Sequence, residues 1–184
     1  KTFQKSPIIS IQYFNQFSHM QSHRFTTTNF RENDIRGVVD KTLNDEDAYF
    51  IGRCYGTLLK RKYNRTNCVV GYDGRPTSPL YAEKVINGLS DCGINVTNIG
   101  LVPTPVVYFS IQFLQKESGV IITASHNPPE YNGFKMLTNE DPIFGDDIQK
   151  LGVIAKNADF VEGNGNLEEK DLKEDYLNFL LSKL

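Results

Sequence analysis

The stretch that decides the fold is GVIITASHNPPEYNGFKM, residues 119–136. It begins with an apolar run rich in β-branched residues, which predicts a strand buried on both faces. The run ends near Ser125, whose hydroxyl would lie just past the carboxyl end of that strand, where open α/β sheets form their ligand crevices. The same loop carries His126 and Asn127, and Lys135 follows on the outgoing segment. A hydroxyl, polar side chains and a cation within one short loop predict a site that handles phosphate.

Helices and strands alternate along the rest of the chain. Before the loop, the predicted elements are a helix capped by Asn44, a strand over residues 68–73, a helix with its N-cap at Ser78, a strand over residues 94–101 and a helix opened by Thr104. After it, they are a strand over residues 134–137 and a helix capped by Asp146 and Asp147. Short connections between alternating elements indicate βαβ units. We therefore predict an α/β fold with three α/β/α layers and a mainly parallel, mixed sheet. Right-handed crossovers would bring the loop over residues 73–77 to the same sheet edge as Ser125.

The composition divides the chain into three segments. Residues 1–28 are polar and are interpreted as an N-terminal extension that is a candidate for disorder. Residues 29–157 form the predicted domain that carries the phosphate loop. Residues 158–184 are predicted to be a Gly- and Asn-rich linker and then an amphipathic helix, beginning at Leu167, that leads toward a missing second domain. Nothing after that helix would cover its apolar face, so we expect the chain to stop early.

Composition also excludes several classes of function. The 184 residues carry a formal net charge of -2 and a pI near 5.9, so the chain lacks the basic footprint of a nucleic-acid binder. No apolar run approaches the roughly 20 residues of a membrane helix, and none has the form of a secretory signal. Cys54, Cys68 and Cys92 are odd in number and widely spaced, which favours reduced core thiols. We therefore expect a soluble, cytoplasmic protein with no nucleic-acid or membrane partner.

Ser125 allows two chemical interpretations. A hydrolase nucleophile is disfavoured because the G-x-S-x-G elbow is missing, and because His126 is adjacent in sequence and adjacent side chains generally diverge. A phosphoserine fits better, since a hydroxyl at a strand end, near backbone N–H groups and cations, can be held as a covalent phosphate. Two prolines stiffen the loop, Gly133 is predicted to permit a turn, and Lys135 could reach the same phosphate.

The remaining candidates are cations and metal ligands. Arg36 and Arg75 are candidate cations near the phosphate, although single arginines are more often surface ion-pair partners. His126 is a candidate general acid or base, because imidazoles titrate near neutral pH, although a lone histidine is more often a loop hydrogen bonder. Mg²⁺ prefers oxygen ligands, and the plausible one here is the Ser125 oxygen or its phosphate. The carboxylates of the chain are better explained by helix caps and turns.

Four motifs resemble stretches of the α-D-phosphohexomutases, specifically of the bacterial phosphomannomutase/phosphoglucomutase type. In chain order they are FRENDIRGVV (residues 30–39), VGYDGR (residues 70–75), VPTP (residues 102–105) and TASHNPPEYNGFK (residues 123–135). The resemblance covers about residues 30–154, and the shared order of four motifs makes it specific. It implies that the fold is the first domain of a phosphohexomutase.

The resemblance implies reversible transfer of phosphate between the 1- and 6-positions of mannose or glucose, through a phosphoserine and a hexose 1,6-bisphosphate that also acts as activator. It implies that Ser125 is the phosphoryl carrier and a ligand of Mg²⁺. Lys135 and Arg36 would stabilise the transferring phosphoryl group and assist proton transfer, and His126 would support the loop and the substrate. The implied residues that bind substrate and phosphate are Arg36, Arg75, His126, Asn127 and Lys135.

The chain also departs from the family's pattern. Asn33 stands where many relatives carry Tyr, so no role of that Tyr is carried over. The family has four domains, and its three-aspartate Mg²⁺ loop, sugar-specificity loop and distal phosphate-binding loop lie beyond the first. The chain is therefore expected to be inactive alone, with hexose monophosphates and the missing C-terminal domains as partners. Two alternatives stay open: a phosphoglucosamine mutase domain, against which the PPEYNGF run argues, and a non-catalytic sugar-phosphate-binding fragment.

Overall fold

The computed structural model describes residues 21–139 and 141–184, which place a mixed sheet between two layers of helices. The strands are β1 (Ile35–Val38), β2 (Asn67–Tyr72), β3 (Asn95–Leu101), β4 (Ser118–Ile122), β5 (Tyr131–Thr138), β6 (Asp141–Pro142) and β7 (Leu167–Glu169). The helices are α1 (Asp45–Leu58), α2 (Ser78–Ser90), α3 (Thr104–Phe113), α4 (Asp146–Lys156) and α5 (Lys173–Leu181), with a 3-10 turn at Thr27–Asn29 and a π-helical turn at Leu59–Tyr63. No helix in the two described ranges is both long and apolar enough to cross a bilayer.

The sheet is mainly parallel. Its strands lie in the order β1-β5-β4-β2-β3-β7, and β6 pairs with β5. The strands β4, β2, β3 and β7 are parallel neighbours, whereas β5 runs antiparallel to β4, and β1 and β6 run antiparallel to β5. The predicted α/β class with a mainly parallel, mixed sheet is confirmed. The chain moves from β2 to β3 through α2 and then crosses back over β2 to β4 through α3, so the loops after β2 and β4 lie where the strand order reverses.

A separate apolar core lies on each face of the sheet, because successive side chains of a strand point to opposite faces. In β4, Val120 and Ile122 belong to the core formed with α1, α2 and α4, whereas Ile121 belongs to the core formed with α3. Every residue of β4 is buried, which explains the continuous apolar run at the start of residues 119–136. The three predicted layers are confirmed.

Two predicted helix starts have different outcomes. Asn44 is the N-cap of α1, as predicted: its side chain accepts a hydrogen bond from the backbone of Asp47, whose carboxylate accepts one from the Asn44 backbone, both at 2.9 Å. This reciprocal pair is a capping box. The predicted N-cap at Ser78 is wrong, because Ser78 is the first residue of α2 and its hydroxyl donates to Asp73 at 2.7 Å.

The predicted cap by Asp146 and Asp147 is also wrong. A glycine holds the N-cap position of α4, and both aspartates lie in the first turn. Asp147 is occupied elsewhere, since its carboxylate accepts hydrogen bonds from Lys62, Tyr63 and Lys150. Burial alone would raise the pKa of Asp147, but these hydrogen bonds lower it to about 2.

The N-terminal segment and the cysteines join the core under α1. Of the predicted extension over residues 1–28, residues 1–20 lie outside the described residues. Further along, His23 stacks on Phe50 and hydrogen bonds to the Asp47 carboxylate at 2.7 Å. The three cysteines are free and buried, which confirms the prediction of unpaired core thiols, and burial raises the pKa of Cys68 to about 12.

The helix predicted from Leu167 begins later. Leu167–Glu169 joins the sheet as β7, parallel to β3, and α5 begins at Lys173. The strand forms because β3 would otherwise present an open edge, and the Lys170 N–H extends the pairing by donating to Asn98 O at 2.9 Å. Several large apolar side chains of α5 are exposed, namely Leu177, Phe179, Leu180 and Leu181.

Candidate active site

The candidate site lies where the loops after β2 and β4 meet. Tyr72 and Ile122, the last residues of the two strands, pair in register. The loop over residues 73–77 and the loop over residues 123–130, here called the serine loop, therefore leave the same sheet edge. The prediction that they share this edge is confirmed by direct contact, because the guanidinium of Arg75 donates to main-chain oxygens of the serine loop.

Ser125 occupies the tip of a tight turn. Its backbone is left-handed, with φ +56°, its N–H donates to Thr123 Oγ1 at 2.8 Å, and the Asn127 N–H donates to Ala124 O at 3.0 Å. A left-handed backbone costs a non-glycine residue roughly 1–2 kcal/mol. Strain of this kind persists where the surrounding structure holds a residue in place. The turn leaves the Ser125 side chain exposed at the sheet edge.

His126 lies close to Ser125. Its Nδ1 is 3.1 Å from Ser125 Oγ, so the expectation that these adjacent side chains diverge is wrong. Neighbouring side chains point to opposite faces in extended backbone, and the left-handed turn at Ser125 removes that alternation. In the part of the chain that the structure describes, no carboxylate hydrogen bonds to this imidazole. The third, orienting member of a hydrolase triad is therefore missing there.

Two cations from neighbouring strands share one carboxylate, and one of them, Arg36, contacts the serine loop. Arg36 on β1 donates through Nη1 to Ala124 O at 3.2 Å and to the side-chain oxygen of Asn127. Its Nε and Nη2 donate to Asp34 Oδ2 at 2.9 and 2.8 Å, and the same oxygen lies 3.8 Å from Lys135 Nζ on β5. Asp34 is only 7 % exposed. Two positive charges against one negative charge leave this cluster net positive, which favours a bound anion.

Gly133 allows β1 to approach β5 closely. The prediction that it permits a turn is wrong, because Gly133 lies inside β5 and pairs in register with Arg36. A Cβ at this position would lie 2.4 Å from Ile35 O and 3.1 Å from Thr123 O. The absence of a side chain therefore sets how near Arg36 comes to the serine loop.

Arg75 is bound to the main chain of the loop. Its Nη atoms donate to the carbonyl oxygens of Ser125, Asn127, Pro128 and Tyr131, at 3.1, 2.7, 2.8 and 2.9 Å. Its Nε donates to Asp73 Oδ2 at 3.2 Å. The structure thus brings this predicted residue to the site, with its donors directed at protein oxygens.

The carboxylates that hold the two arginines were missed in the sequence. Asp34 precedes Arg36 by two residues, and Asp73 precedes Arg75 by two residues, so the spacing Asp-x-Arg occurs in both motifs. Each aspartate forms an ion pair with the arginine of its own motif. The repeated spacing was the available signal. Asn132, which links β5 to the start of α2, had no comparable signal.

The described residues do not form a metal site by themselves. Across residues 21–139 and 141–184, no three His, Cys, Asp or Glu side chains cluster so that they could hold a metal ion. Two carboxylates beside the serine loop, Asp34 and Asp73, form ion pairs with arginines, and the loop's own carboxylate, Glu130, is exposed at its end. The Ser125 oxygen is a hard oxygen donor of the kind that Mg²⁺ accepts, but residues 21–139 and 141–184 do not complete a coordination set around it.

Comparison with known proteins gives one family. The family model described as "Phosphoglucomutase/phosphomannomutase, alpha/beta/alpha domain I" matches residues 27–162. The phosphoglucomutase of Neisseria meningitidis serogroup A is 42% identical over 157 residues, which cover 84% of this chain and 34% of that protein. The phosphomannomutase/phosphoglucomutase of Pseudomonas aeruginosa is 43% identical over 148 residues, which cover 80% of this chain and 32% of that protein.

A solved structure agrees with these relatives. A phosphoglucomutase/phosphomannomutase family protein from Burkholderia thailandensis superposes with a TM-score of 0.81 at 36% identity, over 87% of this chain and 36% of that one. The chain thus spans about a third of the length of the curated relatives that it matches.

Proposed function

The chain belongs to the phosphoglucomutase/phosphomannomutase family, and from that premise we propose that it is the phosphoryl-carrier domain of a hexose phosphate mutase. The enzyme interconverts the 1- and 6-phosphates of mannose or glucose through a phosphoserine and a hexose 1,6-bisphosphate. The observation that carries the proposal is the exposed Ser125 side chain on a left-handed turn whose neighbouring Ala124 carbonyl accepts from Arg36, with Lys135 near the same Asp34 that pairs with Arg36. Phosphoryl transfer depends mostly on positioning and charge stabilisation, and this arrangement supplies both.

Each step moves one phosphoryl group between Ser125 and a hexose. When Ser125 becomes phosphorylated, a bond forms between its Oγ and phosphorus, and the bond from phosphorus to the sugar oxygen breaks. The Ser125 proton passes to His126 Nδ1, which lies 3.1 Å away. The sugar oxygen takes a proton from the Lys135 ammonium, with the assistance of Arg36, and leaves as a hydroxyl, so that Lys135 loses one proton while His126 gains one. The reverse step delivers the phosphate to the other position of the hexose.

The remaining side chains of the site bind the substrate. Lys135 and Arg36 stabilise negative charge on the transferring group, and His126 and Asn127 contact the substrate phosphate. Mg²⁺, when bound, would supply further positive charge at the site, and the Ser125 oxygen or its phosphate would be the ligand from the described residues. Hexose 1,6-bisphosphate acts as the activator because it is the species that phosphorylates Ser125.

Further domains complete the enzyme. Leu177 and Leu181 on α5 are 58% and 67% exposed, and contiguous exposed apolar surface marks a site of protein contact. Phe179, on the opposite side of the same helix, packs against Phe109 of α3, which leaves Leu177 and Leu181 on the outer face. We assign this surface to the domains that supply the metal ligands and the sugar-binding residues, and the chain alone does not complete the cycle. The buried free thiols support a cytoplasmic enzyme.

Phosphate incorporation tests the carrier role. The chain is incubated with glucose 1,6-bisphosphate and Mg²⁺, and its intact mass and peptide map are measured. We expect one phosphate, located on Ser125. Ser125→Ala abolishes the label, whereas Ser182→Ala, which changes an exposed serine far along the chain, leaves it unchanged. A phosphate on another residue, or on the Ser125→Ala protein, contradicts the proposal.

A second candidate is a non-catalytic sugar-phosphate-binding domain, which is favoured by the lack of a metal cluster among the described residues. Amide NMR shifts in the serine loop on addition of the bisphosphate, without a change in mass, would support it. Sustained conversion of mannose 1-phosphate to the 6-phosphate by the purified chain would contradict the proposal that the chain alone does not complete the cycle. The same assay with glucosamine phosphates addresses the phosphoglucosamine mutase alternative.

A further inference from the structure

We propose that Arg75, held by Asp73, is a positioning residue that keeps the serine loop in its phosphate-accepting conformation and does not itself contact the phosphate. The catalytic consequence rests on the function proposed above. The positioning rests on hydrogen bonds that are independent of it. A cation beside a phosphate site would ordinarily be assigned to the phosphate, and the directions of its donors decide against that assignment.

All five donors of the Arg75 guanidinium have protein acceptors. A guanidinium carries five N–H groups in a rigid planar fork. The two Nη atoms make four hydrogen bonds to carbonyl oxygens between Ser125 and Tyr131, and Nε makes the fifth to Asp73. The side chain is 12% exposed, so water competes little for these donors. No N–H of Arg75 is left to bind a phosphate without breaking one of these bonds.

The four carbonyls come from both ends of the loop. Nη2 binds Ser125 and Asn127 near the tip, and Nη1 binds Pro128 and Tyr131 where the chain enters β5. One planar group therefore joins the turn that carries the hydroxyl to the strand that carries Lys135. Carbonyl oxygens near a phosphate would repel it, and Arg75 neutralises those at the tip.

Asp73 fixes the position of the guanidinium. Its Oδ2 accepts from Arg75 Nε, and its Oδ1 accepts from the Arg75 N–H at 3.1 Å and from the Ser78 hydroxyl at 2.7 Å. Asn132, fully buried in β5, donates to Ser78 Oγ at 3.0 Å. The network thus runs from the end of β2, through the start of α2, to the far side of the serine loop. Satisfied polar networks of this kind hold their members in one arrangement.

Arg75→Lys in the whole chain tests the assignment. A lysine keeps the charge but presents three donors from one point, so it cannot bind four carbonyls in a plane. The carbon chemical shifts and the three-bond amide coupling of Ser125 report its left-handed backbone, and amide hydrogen exchange reports opening of the serine loop. We expect a folded protein that loses the left-handed signature and exchanges about tenfold faster in the loop. Arg61→Gln, which removes an exposed ion pair with Asp159, changes neither.

Catalysis supplies a second readout. Arg75→Lys is expected to slow phosphorylation of Ser125 while the affinity for glucose 1,6-bisphosphate stays the same, because the residue acts through the loop. If Arg75→Lys does not fold, Asp73→Asn takes its place, and we expect about threefold faster loop exchange because the arginine remains while its carboxylate is lost.

Two results would overturn the assignment. One is a serine loop whose shifts and exchange are unchanged in the variants. The other is a kept loop conformation with lost affinity for the bisphosphate, which would identify Arg75 as a phosphate ligand. If the unchanged chain does not take up phosphate, that result counts against the proposed function alone. The NMR measurements still test the positioning role of Arg75, because they require no phosphoryl transfer.

Discussion

Replacing Gly133 by alanine is expected to push β1 away from β5 and to destabilise the chain by about 2 kcal/mol. The added Cβ would lie 2.4 Å from Ile35 O, 2.9 Å from Arg36 Cγ and 3.1 Å from Thr123 O, whereas ordinary contact begins at 3.4 Å. Two of these atoms are backbone, so a rotamer change cannot relieve them, and β1 must move by about 1 Å. Overpacking of this kind costs about 1–3 kcal/mol. Alanine also lowers the conformational entropy of the unfolded chain, which stabilises the fold by about 0.4–1 kcal/mol. Subtracted from an overpacking cost of about 3 kcal/mol, this leaves a net destabilisation of about 2 kcal/mol.

Urea unfolding and thermal melting measure this change. At about 2–4 °C per kcal/mol for a chain of this size, the melting temperature should fall by roughly 4–8 °C. Gly74→Ala is the matched control, since it lies at the same sheet edge and a Cβ there meets nothing within 4 Å. The Gly133 variant should also phosphorylate Ser125 more slowly while still folded, because Arg36 moves with β1. Wild-type stability together with a wild-type rate of phosphorylation would refute the argument that Gly133 sets the approach of Arg36.

Two further predictions concern the stability of the domain. Asp147→Asn should destabilise the chain near neutral pH, because the fold lowers the pKa of Asp147 from 3.8 to about 2. The difference in stability from the unchanged chain should shrink as the pH falls from about 4 toward 2. Urea unfolding as a function of pH measures this difference, and a difference that does not depend on pH would contradict the prediction. Tyr55→Phe should cost about 1–3 kcal/mol by leaving Leu137 O without the buried hydroxyl that donates to it, and a melting temperature equal to that of the unchanged chain would count against this.

The parts of the fold that were predicted correctly depend on local signals. The predicted N-cap at Asn44 bonds to a residue only three positions away, and the apolar run of β4 reflects its burial on both faces. The strand β7 has no such signal, since its sequence is Leu-Glu-Glu and all three residues are exposed. It forms because β3 offers an unpaired edge some 70 residues earlier in the chain. A non-local partner of this kind cannot be identified from the pattern of the segment itself.

The candidate site shows the same division between residue type and geometry. Its motifs predicted that Ser125, Arg36 and Lys135 would come together; Arg36 contacts the carbonyl of Ala124 next to Ser125, and Lys135 lies near the Asp34 carboxylate that pairs with Arg36. The contact between Ser125 and His126 could not be predicted, because it depends on a left-handed backbone that the sequence does not specify. The hydrogen-bond partners of Arg75 could not be predicted either, because they are main-chain carbonyls, which every residue has. The side chains at the site could be predicted from the motifs, and the atoms that each one binds could not.

The charges around the serine loop limit what this chain can hold alone. Among the described residues, Arg36, Arg75 and Lys135 contribute three positive charges and Asp34 and Asp73 contribute two negative ones, and the exposed Glu130 of the loop brings the total to zero. A phosphoserine adds about -1.5 to -2 near neutral pH, which would make the cluster net negative. Both arginines already direct donors at carboxylates and loop carbonyls. Lys135, whose contact with Asp34 is 3.8 Å long, is therefore the cation best able to turn toward the phosphate. Further positive charge, such as the Mg²⁺ added in the phosphorylation assay, would stabilise the phosphoserine, which gives a physical reason for the proposed carrier domain to work together with other domains and a divalent cation.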